Sequence, residues 1–293
     1  MIEALQFGFM RNALMAGVLV SVACGIIGTL IVINRIVFIS GGIAHAAYGG
    51  VGLGYFLGFS PVLGAVLFSL LSALGMGAVQ RRTRQRVDTI IGVMWAIGMA
   101  IGIILIDLTP GYKADLMSYL FGSILAVPTG DLALMLALDV VILAVVALFY
   151  KELLAVSFDE TFASVENVPV DAIYLMLMCM VALTVVMVMR VVGLILVIAL
   201  LTMPAAISGQ LVKNLRKMMV LAMLLGVLFT WAGLWLSYFL DITSGAAIIL
   251  VSGLAYLATL AVKWVLRRVR AGAERRLALL DAGRDRAGST VDR

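Results

Sequence analysis

Long apolar stretches, broken by short polar punctuation, run from near residue 10 to residue 266. Crossing a bilayer as a helix takes about 20 predominantly apolar residues. Nine stretches approach that length: 13–33, 41–59, 61–80, 89–107, 131–150, 171–189, 191–210, 219–240 and 246–266. They lack the alternation of apolar and polar positions over about ten residues that a membrane β-barrel strand shows, so each reads as a helix. Stretch 41–59 is the least hydrophobic of them, and the segment 115–127 is too short to cross. The pattern predicts an all-α polytopic membrane protein of about nine spans (eight to nine), with 115–127 as a short re-entrant or interfacial helix at one face. The polar segment "KELLAVSFDETFASVENVPVDAIY" (151–174) is too long for a tight turn. It reads as a short amphipathic helix ending near Asn167–Pro169, where Asn tolerates the left-handed stop conformation and proline blocks continuation.

Composition strengthens this reading. Of 293 residues, 64% are hydrophobic and 13% charged, and the mean hydropathy is +1.17. Soluble domains carry roughly a quarter of their residues as charges, so this much apolar surface needs lipid to cover it. The start, "MIEALQFGFMRNALMAG", has no basic region ahead of its apolar run, and the first span is expected to be retained rather than cleaved as a signal peptide. Cys24 and Cys179 lie isolated in apolar runs and read as small buried hydrophobes. The net charge of +5 comes with basic clusters in short loops and the tail, "RRTRQR" (81–86), "KNLRK" (213–217) and "RRVRAGAERR" (267–276). Such clusters set membrane orientation and do not point to nucleic acid. They place the N-terminus outside, the C-terminus in the cytoplasm, 108–130 and 241–245 outside, and 151–170 inside. Arg11, Lys113 and Arg190 fall on the opposite side as single charges at span ends, where long side chains snorkel. A transmembrane domain over 1–266 is thus expected to precede a basic to mixed-charge cytoplasmic tail, 267–293, helical at first and disordered towards its end.

The chain's one histidine, His45, lies in "GGIAHAAYGGVGLGYFLG" (41–58). On a helix Gly42, Ala46, Gly50, Gly54 and Gly58 fall at i, i+4 spacing, a ridge of small residues that lets helix backbones approach closely in lipid. His45 lies on the adjacent row with Gly41 and Gly49. Two readings stand side by side: a histidine that hydrogen-bonds a neighbouring carbonyl and fixes packing, or a neutral imidazole that transiently ligates a borderline-soft divalent metal on a transport path. A closed structural zinc site wants four ligands, whereas a path needs ligation weak enough to release the ion.

The stretch "GGIAHAAYGGVGLG" resembles the signature of the permeases of zinc, manganese and iron ABC importers, the ABC-3 family. "VDTIIGVMWAIGMAIG" (87–102), "ADLMSYLFGSILAV" (114–127), "VVGLILVIALLTMPAAISG" (191–209) and "YFLDITSGAAIIL" (238–250) are similar to further family segments in the same order, so the resemblance covers about residues 10–265. It implies a non-catalytic permease subunit in a prokaryotic inner membrane, paired as a homodimer with the pathway between two copies. ATP and magnesium would be bound by a partner cytosolic ABC ATPase and not by this chain, which holds no cofactor of its own. Metal would be delivered by an extracytoplasmic binding protein docking over 108–130 and 241–245. The resemblance makes 151–170 the coupling helix that docks on the ATPase, with Asp159, Glu160, Ala163, Glu166 and Asn167 as its residues, Asn167 standing where the family usually has glycine. The chain departs from the pattern at Gly41, where zinc and manganese permeases usually carry an aspartate one turn before the histidine, and at Ser123, a second usually acidic position. The metal stays open among zinc, manganese and iron, or a metal carried with a chelator.

Other polar residues have competing readings. Asp139 sits mid-span, where a charge costs at least about 2.5 kcal/mol; it should face the bundle, either as a pathway group or as an interhelical hydrogen-bond partner. Asp115 and Asp107 either collect cations at the external entrance or, for Asp115, cap the short helix that follows. Asp88 and Asp241 read as caps of the spans after them. The methionines of 174–189 point all round their helix and do not converge on a copper site. No G-x-x-x-x-G-K-[ST], G-x-S-x-G or HExxH pattern occurs, so P-loop ATP binding, a serine hydrolase and a zincin are not supported. Two rivals remain: an ion-coupled secondary transporter, which would need midplane carboxylates beyond Asp139, and an ABC permease for a siderophore- or cobalamin-like chelate.

Overall fold

The computed structural model describes residues 6–82, 87–110, 122 and 124–289. Among the described residues no strand forms. The helices are α1 (Gly8–Ile33), α2 (Val37–Leu57), α3 (Pro61–Arg82), α4 (Val87–Leu108), α5 (Thr129–Leu148), α6 (Tyr150–Phe158), α7 (Glu160–Val165), α8 (Val170–Val192), α9 (Leu194–Leu211), α10 (Leu215–Leu240) and α11 (Ser244–Ser289). Eight of these described helices are long and apolar enough to span a membrane, and the apolar part of α9, Leu196–Leu211, is shorter. The protein is an all-α polytopic membrane protein. The expected helix 115–127 lies mostly outside the described residues; its end forms a single 3-10 turn, Ile124–Ala126. The chain divides into two compact units, Met1–Ser252 and Gly253–Arg293. α11 runs through both, and its apolar part ends at Arg268.

Within the first unit α1 is the buried axis. Ala13, Ala16, Val20, Ala23, Ile27 and Leu30 are fully enclosed, with α10 and α9 packed along the helix. Lipid is as apolar as leucine, so helices gain little from hiding apolar surface against one another. Close packing of small residues takes over that role. A Cβ on Gly17 would stand 2.7 Å from Thr230 Cγ2, and one on Gly25 would stand 2.6 Å from the Met223 backbone nitrogen. Hydroxyls that face this interior donate to their own helix one turn back: Ser21 Oγ to Gly17 O (2.6 Å), Thr29 Oγ1 to Gly25 O (2.7 Å) and Thr230 Oγ1 to Gly226 O (2.8 Å). That removes the cost of an unpaired polar group in an apolar interior. Leu134, Leu136, Val140 and Leu143 of α5 and Ile101 and Ile104 of α4 are exposed, which suits faces that meet lipid.

Two spans drawn on either side of Arg190 are separated by Gly193, which ends α8 and opens α9 at φ 78° and ψ 168°. A side chain would strain that conformation. The reading of Asp241 as the cap of the following span is corrected: it closes α10 as a C-cap in the left-handed region, φ 52°, and α11 begins at Ser244. Aspartate is one of the few residues other than glycine that visits that region. Asp88 lies inside the first turn of α4, where its charge favours the helix dipole. The segment after α5 forms two short helices instead of one, because Asp159, at φ −153°, breaks the chain and caps α7. Cys24 and Cys179 are both free thiols.

A reciprocal backbone approach joins α2 to α3. A Cβ on Gly50 would fall on the Gly64 carbonyl oxygen, and one on Gly64 would fall on that of Gly50. Gly50→Val is therefore expected to cost about 1–3 kcal/mol or more by overpacking, read as a lower unfolding temperature in detergent. Gly92→Ala, whose Cβ would meet nothing within 4 Å, should be neutral or better.

Candidate functional site

α2 is held between α3 and α4. Of the small-residue ridge, Gly42 faces Ile91 and Met76, Ala46 faces Gly98, Gly50 faces Gly64 and Gly54 faces Pro61. Gly58 differs: it stands past the helix end as a C-cap at φ 74°, with nothing near a would-be Cβ, so it stops α2 and does not pack it. The neighbouring row carries a second contact: a Cβ on Gly49 would stand 2.9 Å from the Gly98 carbonyl oxygen, and Gly52 lies against Gly102. α2 thus touches α3 on one side and α4 on the other at backbone distance.

The approach of α4 places three side chains together. The His45 ring stacks on Trp95, with centroids 3.9 Å apart and planes 12° from parallel. His45 Nδ1 is 3.2 Å from Met99 Sδ, and Trp95 Nε1 donates to the same sulfur at 3.2 Å. All three side chains are half-buried. The packing partner of His45 is a thioether and an indole, in place of the backbone carbonyl expected from sequence. Gly41, one turn earlier, faces Ile198 of α9, whose Cδ1 would be 3.2 Å from an added Cβ. Among the described residues no three of His, Cys, Asp and Glu cluster as a metal site. Trp95 and Met99 were not legible as partners of His45, because nothing in an apolar run says which neighbouring helix a face will meet.

Asp139 lies elsewhere, 2% exposed on α5, which packs on α1 and α8. Neither carboxyl oxygen has a hydrogen-bond partner, which leaves the interhelical hydrogen-bond reading without a partner among the described residues. The structure does not bring Asp139 to His45. Asp115 and Ser123 lie outside the described residues. Asp107 is exposed in the last turn of α4. Burying an unpaired carboxyl costs several kcal/mol unless it is neutral. Asp139→Leu, which removes the unpaired polar atoms, is accordingly expected to raise the unfolding temperature while leaving uptake unchanged; a fall in uptake at equal protein level would place Asp139 on the path.

A second site lies at α6 and α7. Asp159 accepts from the Thr161 and Phe162 amides at 2.9 and 3.0 Å, satisfying free N–H groups at the start of α7. Ala163 is fully buried, and Asn167 adopts φ 60°, the stop conformation expected of it. Glu166 is exposed, as are the apolar Phe158, Phe162 and Val165. Glu160 pairs with Arg81 at 3.3 Å, and Arg81 also binds Asp171 and lies over the Tyr174 ring, whose hydroxyl meets Gln80. Arg81, Glu160, Ser164, Val165, Val168 and Asp171 line an open cleft of about 720 Å3. Arg81 reads from sequence only as an orienting charge; ion pairs between helices far apart in the chain leave no trace in spacing.

The protein is a polytopic helical membrane bundle whose second helix is clamped by glycine contacts. The chain belongs to the ABC 3 transport family, whose model matches residues 6–263. It is 60% identical over 261 residues to an uncharacterized membrane protein of Synechocystis sp., covering 89% of this chain and 93% of that protein. It is 35% identical to the manganese transport system membrane protein MntC of Halalkalibacterium halodurans, over 85% of this chain and 86% of the relative. Among solved structures it resembles PsaBC from Streptococcus pneumoniae in complex with Fab, with a TM-score of 0.80 at 32% identity, covering 88% of this chain and 93% of that one.

Proposed function

We propose that the chain is the permease subunit of an ABC importer that moves a divalent transition metal, zinc, manganese or iron, into the cytoplasm by alternating access. The observation that carries the reading is His45, a half-buried imidazole on a helix clamped by glycine contacts. An ion passing it meets a neutral ligand that can let go. Family membership and the names of the manganese relatives support metal as cargo. ATP hydrolysis belongs to a separate cytosolic ATPase, and an extracytoplasmic binding protein delivers the ion. Two copies of this chain enclose the pathway, with the N-terminus outside and the C-terminus in the cytoplasm of a prokaryotic cell.

The test is cell-associated zinc, manganese and iron by mass spectrometry in metal-starved cells that make the chain with its ATPase and binding protein. One metal is expected to rise, and His45→Ala is expected to abolish the rise at equal protein level. An equal rise in the variant would make His45 a packing residue.

α7 is the surface offered to the ATPase. Exposed Phe162 and Val165, 58% and 74% accessible, give it the apolar anchors that interfaces favour over charge at their centre. Val165→Asp should leave the permease folded, since the side chain is already exposed, and reduce co-purification of the ATPase at least tenfold, about 1.4 kcal/mol. Co-purification at the wild-type level would remove α7 from the interface.

A further inference from the structure

We propose that Met99 supplies a second, soft donor beside His45, so that this contact point takes a borderline-soft divalent ion, zinc or iron(II), in preference to manganese(II). This rests on the reading of His45 as an ion contact and names the selectivity of that contact.

The two donor atoms lie directly against each other. His45 Nδ1 and Met99 Sδ are 3.2 Å apart. Donors at that separation are near enough to close on one ion, with a metal–nitrogen bond of about 2.0 Å on the imidazole side. The sulfur is held from behind. Trp95, one turn before Met99, donates its indole N–H to that sulfur at 3.2 Å and stacks on the imidazole face at 3.9 Å. The second lone pair of the thioether remains for an ion. To bind an ion here the imidazole takes the tautomer with its proton on Nε2, so that the Nδ1 lone pair faces the metal.

The donor chemistry sets the preference. Thioether and imidazole suit zinc and the later first-row metals, whereas manganese is served by carboxylate, carbonyl and water oxygens. No carboxylate stands one turn before the histidine, where Gly41 faces Ile198. Among the described residues no cluster of His, Cys, Asp and Glu supplies hard ligands. Two neutral protein donors leave the rest of the coordination sphere to water or to a second copy of the chain, and such a contact is shallow enough to cross. The half-buried state of all three side chains keeps the donors reachable.

The experiment gives metal-starved cells, making the chain with its ATPase and binding protein, equimolar zinc, iron(II) and manganese. Uptake is read by mass spectrometry at matched membrane levels of wild type, Met99→Leu, Met99→Gln, Gly41→Asp and His45→Ala. Wild type is expected to favour zinc or iron(II). Met99→Leu should lower that metal about tenfold against manganese, the scale on which metal-site contacts act. Gly41→Asp, which adds a carboxylate where the Ile198 methyl can yield, should move the ratio towards manganese. Wild type favouring manganese overturns the proposal. So does an unchanged ratio in Met99→Leu while His45→Ala loses uptake, and the reading of His45 as an ion contact then survives. Unchanged uptake in His45→Ala overturns that reading, and this proposal with it. Met99→Gln carries the same comparison should Met99→Leu not accumulate in the membrane.

Discussion

The structure depends on the backbone contact between α2 and its two neighbours. Gly50 and Gly64 touch main chain to main chain, and on another face of α2 Gly52 meets Gly102. In water, such helices would be driven together by hiding apolar side chains. In lipid that drive is weak, and what holds them is dispersion between closely fitted surfaces. The contact also places the chemistry. His45 meets Trp95 and Met99 because Ala46, one residue on, stands against Gly98, one residue before Met99. A larger residue at either small position would separate the two helices and take the imidazole away from the sulfur. The glycine content of 41–58 is therefore what brings the imidazole to Trp95 and Met99.

Much of this was legible in the sequence. Spans announce themselves by length, and the i, i+4 ridge at 42, 46, 50 and 54 states which face of α2 must meet a neighbour. What failed did so for identifiable reasons. Gly58 has the spacing of a packing residue but the conformation of a helix stop, and spacing does not distinguish the two. Asp241 was read as opening the next helix because aspartate favours N-caps; its tolerance of positive φ made it close the previous one. Gly193, the actual break between α8 and α9, was passed over in favour of the nearby charge at Arg190. For the site, sequence names the histidine because it is singular. It could not name Met99, one of 17 methionines, since the partner of a side chain in a bundle is settled by which helices are neighbours. Arg81 shows the same limit for charge: a basic loop signals orientation, while its pairing with Glu160 and Asp171 depends on chain segments about 80 and 90 residues away.

That pairing bears on how the two sites connect. α3 ends at the short helix pair, where Arg81 meets Glu160 and Asp171, and begins at Pro61 and Gly64, in backbone contact with α2. α8 packs along α3, through Leu175 and Met178 against Gly77 and through Tyr174 against Gln80. A pair of helices fixed to each other in this way resists bending, because its side chains interdigitate at close-packed density. α3 thus runs from the Arg81 ion pairs at one end to the backbone contact with Gly50 and Gly54 at the other. Those residues lie on the same helix as His45, less than three turns from it. The exposed ion pair at Arg81 is worth little as stability, about 0–1 kcal/mol. Its position matters more than its energy, since it ties α7 to α3 and α8, and the other end of α3 grips the helix that carries His45. A tether that weak holds α7 against α3 and α8 without locking it in place.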